Sequence, residues 1–179
     1  HAWLENDNDI KEHASYVFFV GCLGAYRYPD LTRRTFDLLK KFDVTLIPEE
    51  VCCGSPLMRT GLDPDALVSK NLEQIQRTGA HTVITGCAGC YTTLKNDYHS
   101  NLKVMHVSEF LAENLQELDI SHLDIKVTYH DPCHLGRCNG IFDAPRKIIT
   151  SICELNEMGS HHAQSRCCGA GGGVLKGYP

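Results

Sequence analysis

Ten of the 179 residues are cysteine, and six of them repeat one order, a lone cysteine and then an adjacent pair. Cys22 is followed by the adjacent pair Cys52-Cys53 with Gly54, and then by Cys87 and Cys90 in a Cys-x-x-Cys spacing. Cys133 is followed, after a stretch of similar length, by Cys167-Cys168 with Gly169. Thiolates are soft donors that select soft metals, and a defined set of them on turns holds a defined metal centre. The first set closes with its Cys-x-x-Cys; the second reaches the end of the sequence without one.

A Cys-x-x-Cys turn alone suits a zinc site, a redox pair or half of an iron–sulfur site. The adjacent pair changes the weighting. Neighbouring side chains of an extended segment point to opposite sides, so Cys52 and Cys53 converge poorly on one small ion and more easily serve two metals of a larger group. Five thiolates also exceed the four that tetrahedral zinc accepts. The preference is a polynuclear iron–sulfur centre, with structural zinc as the weaker alternative. Cys138 and Cys153 read as small buried apolar side chains. His130 and His134 flank Cys133, and His106 ends an apolar run. Each can pass a proton to sulfur, since imidazole titrates near neutral pH, and each equally suits a hydrogen-bonded structural role. His161-His162 reads as exposed loop.

These residues need a frame. Tyr16 to Val20 is aromatic and β-branched, as a buried strand should be, and runs into Gly21-Cys22. Asp30 to Phe42 has Leu31, Arg34, Leu38 and Phe42 near helical spacing. A short strand follows at Asp43 to Ile47, and Cys52 to Pro56 is a turn beyond it. Asp63-Pro64 opens a helix running to about Arg77, and Gly79 stops it. His81 to Thr85 is a strand with Cys87 and Cys90 at its end. Tyr91 to Tyr98 is a helix, Lys103 to His106 a strand, and Ser108 to Leu118 a helix with Ser108 as its cap. The pattern restarts with a strand at Ile125 to Tyr129, which leads into Cys133, and a helix at Ala144 to Leu155.

Strands alternating with helices predict an α/β fold: tandem copies, each a small parallel sheet with crossover helices, the second incomplete. The copies span 14–120 and 121–179. Sites in open α/β sheets lie beyond the carboxyl ends of the strands, which is where all five cysteines of the first set fall.

Bulk composition excludes some functions. The net charge is −5 and the basic residues are scattered, so nucleic acid is not the expected partner. No run is long enough to span a bilayer, and residues 1–12 lack the pattern of a secretion signal. A cytoplasmic location follows as the expectation, where thiols stay reduced and dense cysteine points to metal or redox chemistry. A Gly-rich run from Gly169 to Gly173 lies near the end, so the sequence reads as a piece of a longer chain. Gly171 to Gly173 suits close approach to a phosphate or a metal centre, but no GxGxxG sits in strand–turn–helix context.

The stretches Phe19 to Cys22, Val51 to Gly54, Thr85 to Cys90, Val127 to Arg137 and Ser165 to Val174 together resemble the cysteine-rich "CCG" domains of heterodisulfide reductase, in its D and B subunits. The resemblance covers nearly the whole chain. It implies a noncubane [4Fe-4S] cluster held by Cys22, Cys52, Cys53, Cys87 and Cys90. It implies a second cluster using Cys133, Cys167 and Cys168 plus ligands outside this chain. The implied activity is reduction of the coenzyme M–coenzyme B mixed disulfide, a small-molecule substrate, in methanogenesis, with electrons delivered singly by the two clusters. The implied partners are other redox subunits, either a cytochrome b or iron–sulfur and flavin subunits, which would hold the protein at the inner face of the membrane. The alternative is an iron–sulfur electron-transfer subunit of a membrane-linked oxidoreductase, of the glycolate or lactate oxidase type or a sulfate-reducer complex.

Overall fold

The computed structural model describes residues 10–169 and 171. The chain forms two compact units that divide between His106 and Val107.

The first unit is built on four strands: β1 (Tyr16–Phe19), β2 (Val44–Leu46), β3 (Thr82–Thr85) and β4 (Lys103–His106). All pair in parallel, in the order β2-β1-β3-β4. Val17 lies opposite both Thr45 and Val83, and Val83 opposite Val104. Val17, Phe18, Phe19, Leu46, Val83 and Ile84 are all buried. Strands covered on both faces read as continuous apolar runs rather than alternation, which makes these segments recognisable in the sequence. From β1 the chain passes to β2 on one side and then to β3 on the other. The strand order therefore reverses between β1 and β3, the place where open α/β sheets put their sites.

The helices are α1 (Gly21–Tyr26), α2 (Pro29–Leu39), α3 (Ser55–Arg59), α4 (Asp65–Arg77) and α5 (Ala88–Asn96). Helix α2 departs from its expected face. Leu31 and Leu38 are exposed, and the helix instead buries Thr32, Phe36 and Leu39, with Phe36 stacked on Phe18 of β1 at 6.3 Å. Helix α4 opens with the Asp63 carboxylate accepting the Asp65 N–H, and Gly79 follows its end at φ +68°. Helix α5 starts earlier than the apolar pattern suggests, so Cys90 lies within its first turn.

The second unit contains α6 (Val107–Glu113), a short 3-10 turn at Leu115–Glu117, and the strand β5 (Lys126–Val127). It continues through α7 (Gly136–Asn139), α8 (Asp143–Ile152), β6 (Glu154–Leu155) and a 3-10 turn at His162–Gln164. Helix α6, read from the sequence as the end of the first copy, packs on α8. Helix α8 stops at Cys153, where the backbone turns extended, and the next residues pair with β5 as a parallel two-stranded sheet. Ser108 lies inside α6 rather than capping it. Among the described residues no helix is long and apolar enough to cross a membrane.

Candidate metal centre

Three adjacent strands each deliver cysteines at their carboxyl ends. Cys22 follows β1 and lies in the first turn of α1; Cys52 and Cys53 follow β2; Cys87 and Cys90 follow β3. Because β1 is hydrogen-bonded to both β2 and β3, neighbouring strands bring residues 22 to 90 to one place. The thiols are linked as hydrogen-bonding neighbours in the sequence Cys22, Cys52, Cys53, Cys90, Cys87. Cys53 and Cys90 are buried, Cys52 and Cys87 half-buried, and Cys22 exposed. The contacts run as a chain: among the described residues, no three His, Cys, Asp or Glu close around a position for a single metal ion.

The backbone around the sulfurs is fixed by a few polar side chains. The Glu50 carboxylate accepts the N–H of Val20 at 2.8 Å and of Gly21 at 2.7 Å, tying the segment after β2 to the start of α1. Desolvation by burial pushes its carboxyl up to about 7, against those two hydrogen bonds. Gly21 has φ +75°, and a Cβ there would stand 3.0 Å from the Cys90 sulfur. Only glycine suits both the left-handed backbone and this approach. Gly54, at φ +84°, lets the pair turn into α3. Asn71, wholly buried on α4, binds the same segment with its amide. Its oxygen accepts the Val51 N–H at 3.1 Å, and its nitrogen donates to the carbonyls of Val51 and Cys52 and to the Tyr98 hydroxyl. Cys87 caps α5, its sulfur accepting the Cys90 N–H at 3.5 Å.

The thiols divide their protons unequally. Cys90 keeps its proton, shared between the sulfurs of Cys53 and Cys87, which raises its own pKa well above the ordinary thiol value. Receiving that hydrogen bond pulls Cys87 down to about 6 and lowers Cys53 as well. Burial pushes Cys52 up to about 11. The carbonyl of Gly86 meets the ring of buried His106 at 3.3 Å, and desolvation drops that imidazole to about 4. A cleft of about 320 Å³, lined by Gly21, Cys22, Tyr26, Glu50 and Cys52, opens the exposed end of the sulfur chain to solvent.

The second unit gathers a smaller set. Cys133 and Cys168 both donate toward Cys167, whose sulfur also accepts the Gly169 N–H at 3.4 Å. Together with the positive charge of Arg137, these contacts lower the Cys167 pKa, the Gly169 bond most. Arg146 of α8 anchors both segments. It forms a two-pronged ion pair with Asp131 at 2.7 and 2.8 Å, reaches Glu157 at 2.6 and 3.0 Å, and lies over the Tyr129 ring. Asp131, 1% exposed, also accepts the His162 N–H through its carboxylate and the Ser165 hydroxyl through its carbonyl.

Several expectations change here. Cys153 is buried, but Cys138 is exposed, because α7 turns it outward. His161 and His162 are half-buried, with His162 against Phe142. His130 is exposed and its Nε2 meets the Arg166 carbonyl at 2.8 Å, tying two loops; His134 is half-buried. Of the glycine run, Ala170, Gly172 and Gly173 lie outside the described residues. Sequence reasoning missed Glu50, Asn71, Tyr98 and Arg146. Only Glu50 carried a local signal, an acidic residue just before the cysteine pair.

Several known proteins are similar to this chain. The B subunit of the fumarate reductase (CoM/CoB) of Methanothermobacter marburgensis is 44% identical over 169 residues, 90% of this chain and 34% of that protein. The D subunit of the dihydromethanophenazine:CoB–CoM heterodisulfide reductase of Methanosarcina mazei is 40% identical over 196 residues, 99% of this chain and 48% of that protein. The EtfAB:quinone oxidoreductase of Syntrophomonas wolfei is 36% identical, over 93% of this chain and 25% of that protein. The chain thus spans half or less of the length of these relatives. Residues 16–95 and 127–178, which contain both cysteine sets, match the cysteine-rich CCG domain, and the chain belongs to that family.

Proposed function

We propose that this chain is the iron–sulfur part of an oxidoreductase that reduces a small-molecule disulfide, of the coenzyme M–coenzyme B type. The observation that carries the reading is the meeting of Cys22, Cys52, Cys53, Cys87 and Cys90 at the carboxyl ends of three adjacent strands. The donor set is all sulfur, five in number, and strung out rather than closed on one ion, which suits a noncubane [4Fe-4S] cluster better than tetrahedral zinc. The names of the relatives, with a heterodisulfide reductase among them, support the same chemistry. Residues 14–120 and 121–179 are two copies of one domain, each containing one of the matched stretches. Cys133, Cys167 and Cys168 hold part of a second such centre.

When bound, an iron–sulfur group supplies electrons one at a time. The residues of this chain do the rest. Cys53 and Cys90 lie buried and anchor the centre, while Cys22 and Cys52 border the cleft through which a disulfide approaches. Glu50 and Asn71 hold the cysteine-bearing loops in place. Cleaving the disulfide consumes two electrons and two protons and gives two thiols. The electrons come from a reduced partner protein, which would keep this chain peripheral to the inner face of the membrane.

Protein purified without oxygen should contain iron and sulfide and oxidise reduced viologen when the mixed disulfide is added. Intact clusters without that activity would favour the second reading, an electron-transfer subunit, which the EtfAB:quinone oxidoreductase relative supports. Zinc in place of iron and sulfide would rule out both.

A further inference from the structure

Tyr98 is 4% exposed, and its hydroxyl belongs to the hydrogen-bond network that holds the Cys52 backbone. The Asn71 amide donates to that hydroxyl at 3.0 Å and, through the same nitrogen, to the Cys52 carbonyl at 3.1 Å. The phenol oxygen is therefore an acceptor toward Asn71, and its own O–H is left to donate. Among the described residues that O–H has no acceptor. The sulfurs of Cys53, Cys90 and Cys52 are the groups of the first set that act on it when ionised. Burial and these sulfurs both favour the protonated phenol. Asn71 cannot rotate away, because its oxygen is fixed by the Val51 N–H and its nitrogen by two backbone carbonyls.

A buried donor without an acceptor is costly and calls for an explanation. Neutral thiols are weak acceptors, whereas metal-bound thiolates and sulfides are strong ones. We propose that the Tyr98 hydroxyl, aimed by Asn71, donates a hydrogen bond to a sulfur of the metal centre held by the first cysteine set, and raises the reduction potential of that centre. This rests on the iron–sulfur reading above. A hydrogen bond to a cluster sulfur stabilises the more negative, reduced state, so the donor makes reduction easier. Asn71 is the positioning residue: it touches no sulfur with its own donors, but fixes the phenol and the Cys52 backbone as one unit.

The test compares midpoint potentials of the intact protein, purified without oxygen, by EPR-monitored titration. Tyr98→Phe keeps the ring and removes the donor. It should retain wild-type iron and sulfide and titrate at a more negative potential. Fluorotyrosine introduced in place of Tyr98, a stronger donor, should shift the potential the opposite way, and decides alone should Tyr98→Phe lose iron. An unchanged potential in the iron-loaded variants would overturn the proposal while leaving the iron–sulfur reading intact. Wild-type protein without iron and sulfide would overturn both.

Discussion

The two cysteine sets share a lone cysteine followed by an adjacent pair, and they are held by different means. In the first unit, three adjacent parallel strands end at the sulfurs, and Cys53 and Cys90 are buried. In the second unit, the sheet has two short strands, and Cys167 and Cys168 stand exposed on a loop. There the order comes from a buried ion pair, Asp131 with Arg146, to which the loop is attached through His162 and Ser165. A sheet edge positions sulfur through backbone register. A loop does so only through side chains, and it can be undone by one substitution.

That contrast can be broken outright. Cys53→Ala should remove the iron and EPR signal of the first centre, while Cys167→Ala should leave that signal in place; equal losses from both would mean that the sets do not act separately. The next largest effect is expected at Arg146. Its removal leaves Asp131 and Glu157 without their cation, a change that costs about 3–5 kcal/mol when the charge is buried. Hydrogen exchange should then show α8 and the 161–169 loop losing protection, with the amides of β1 and β3 unchanged.

A pH titration sharpens the comparison within the first unit. Folded His106 holds its proton only below about 4, against 6.5 for the free group, because burial desolvates the ring. Between those values the unfolded chain binds more protons. The stability contribution is full above pH 6.5 and is lost as pH falls toward 4, about 2 kcal/mol of it between pH 7 and pH 5. Urea denaturation at the two pH values should show this slope, and His106→Asn should flatten it. The smallest effect concerns two glycines with the same backbone. Gly21 and Gly140 sit at φ +75° and +73°, but a Cβ meets the Cys90 sulfur at the first and open space at the second. Both alanine variants lose about 1–2 kcal/mol from the left-handed backbone, and Gly21→Ala should lose measurably more in thermal denaturation.

Much of this was legible from residue types alone. The apolar runs at 16–20 and 81–85 marked central strands because parallel strands are covered on both faces, and the cysteines fell just beyond them. The short helices α1, α3 and α7 were not legible, since four to six residues carry too little periodicity to register. Helix α2 misled because its leucines face solvent while Thr32 and Phe36 face the sheet. Asn71, Tyr98 and Arg146 were invisible for another reason. Each is a polar residue whose meaning lies in partners 11 to 27 positions away, and only the fold brings those partners together.

The graded exposure of the first set, from open Cys22 to enclosed Cys53, also gives oxidative damage a direction. Sulfur chemistry with dioxygen or peroxide follows access, so attack begins at the rim, where Cys22 and Cys52 are neighbours. Inactivation in air would then start as a reversible lesion at the mouth of the cleft, before it reaches the interior.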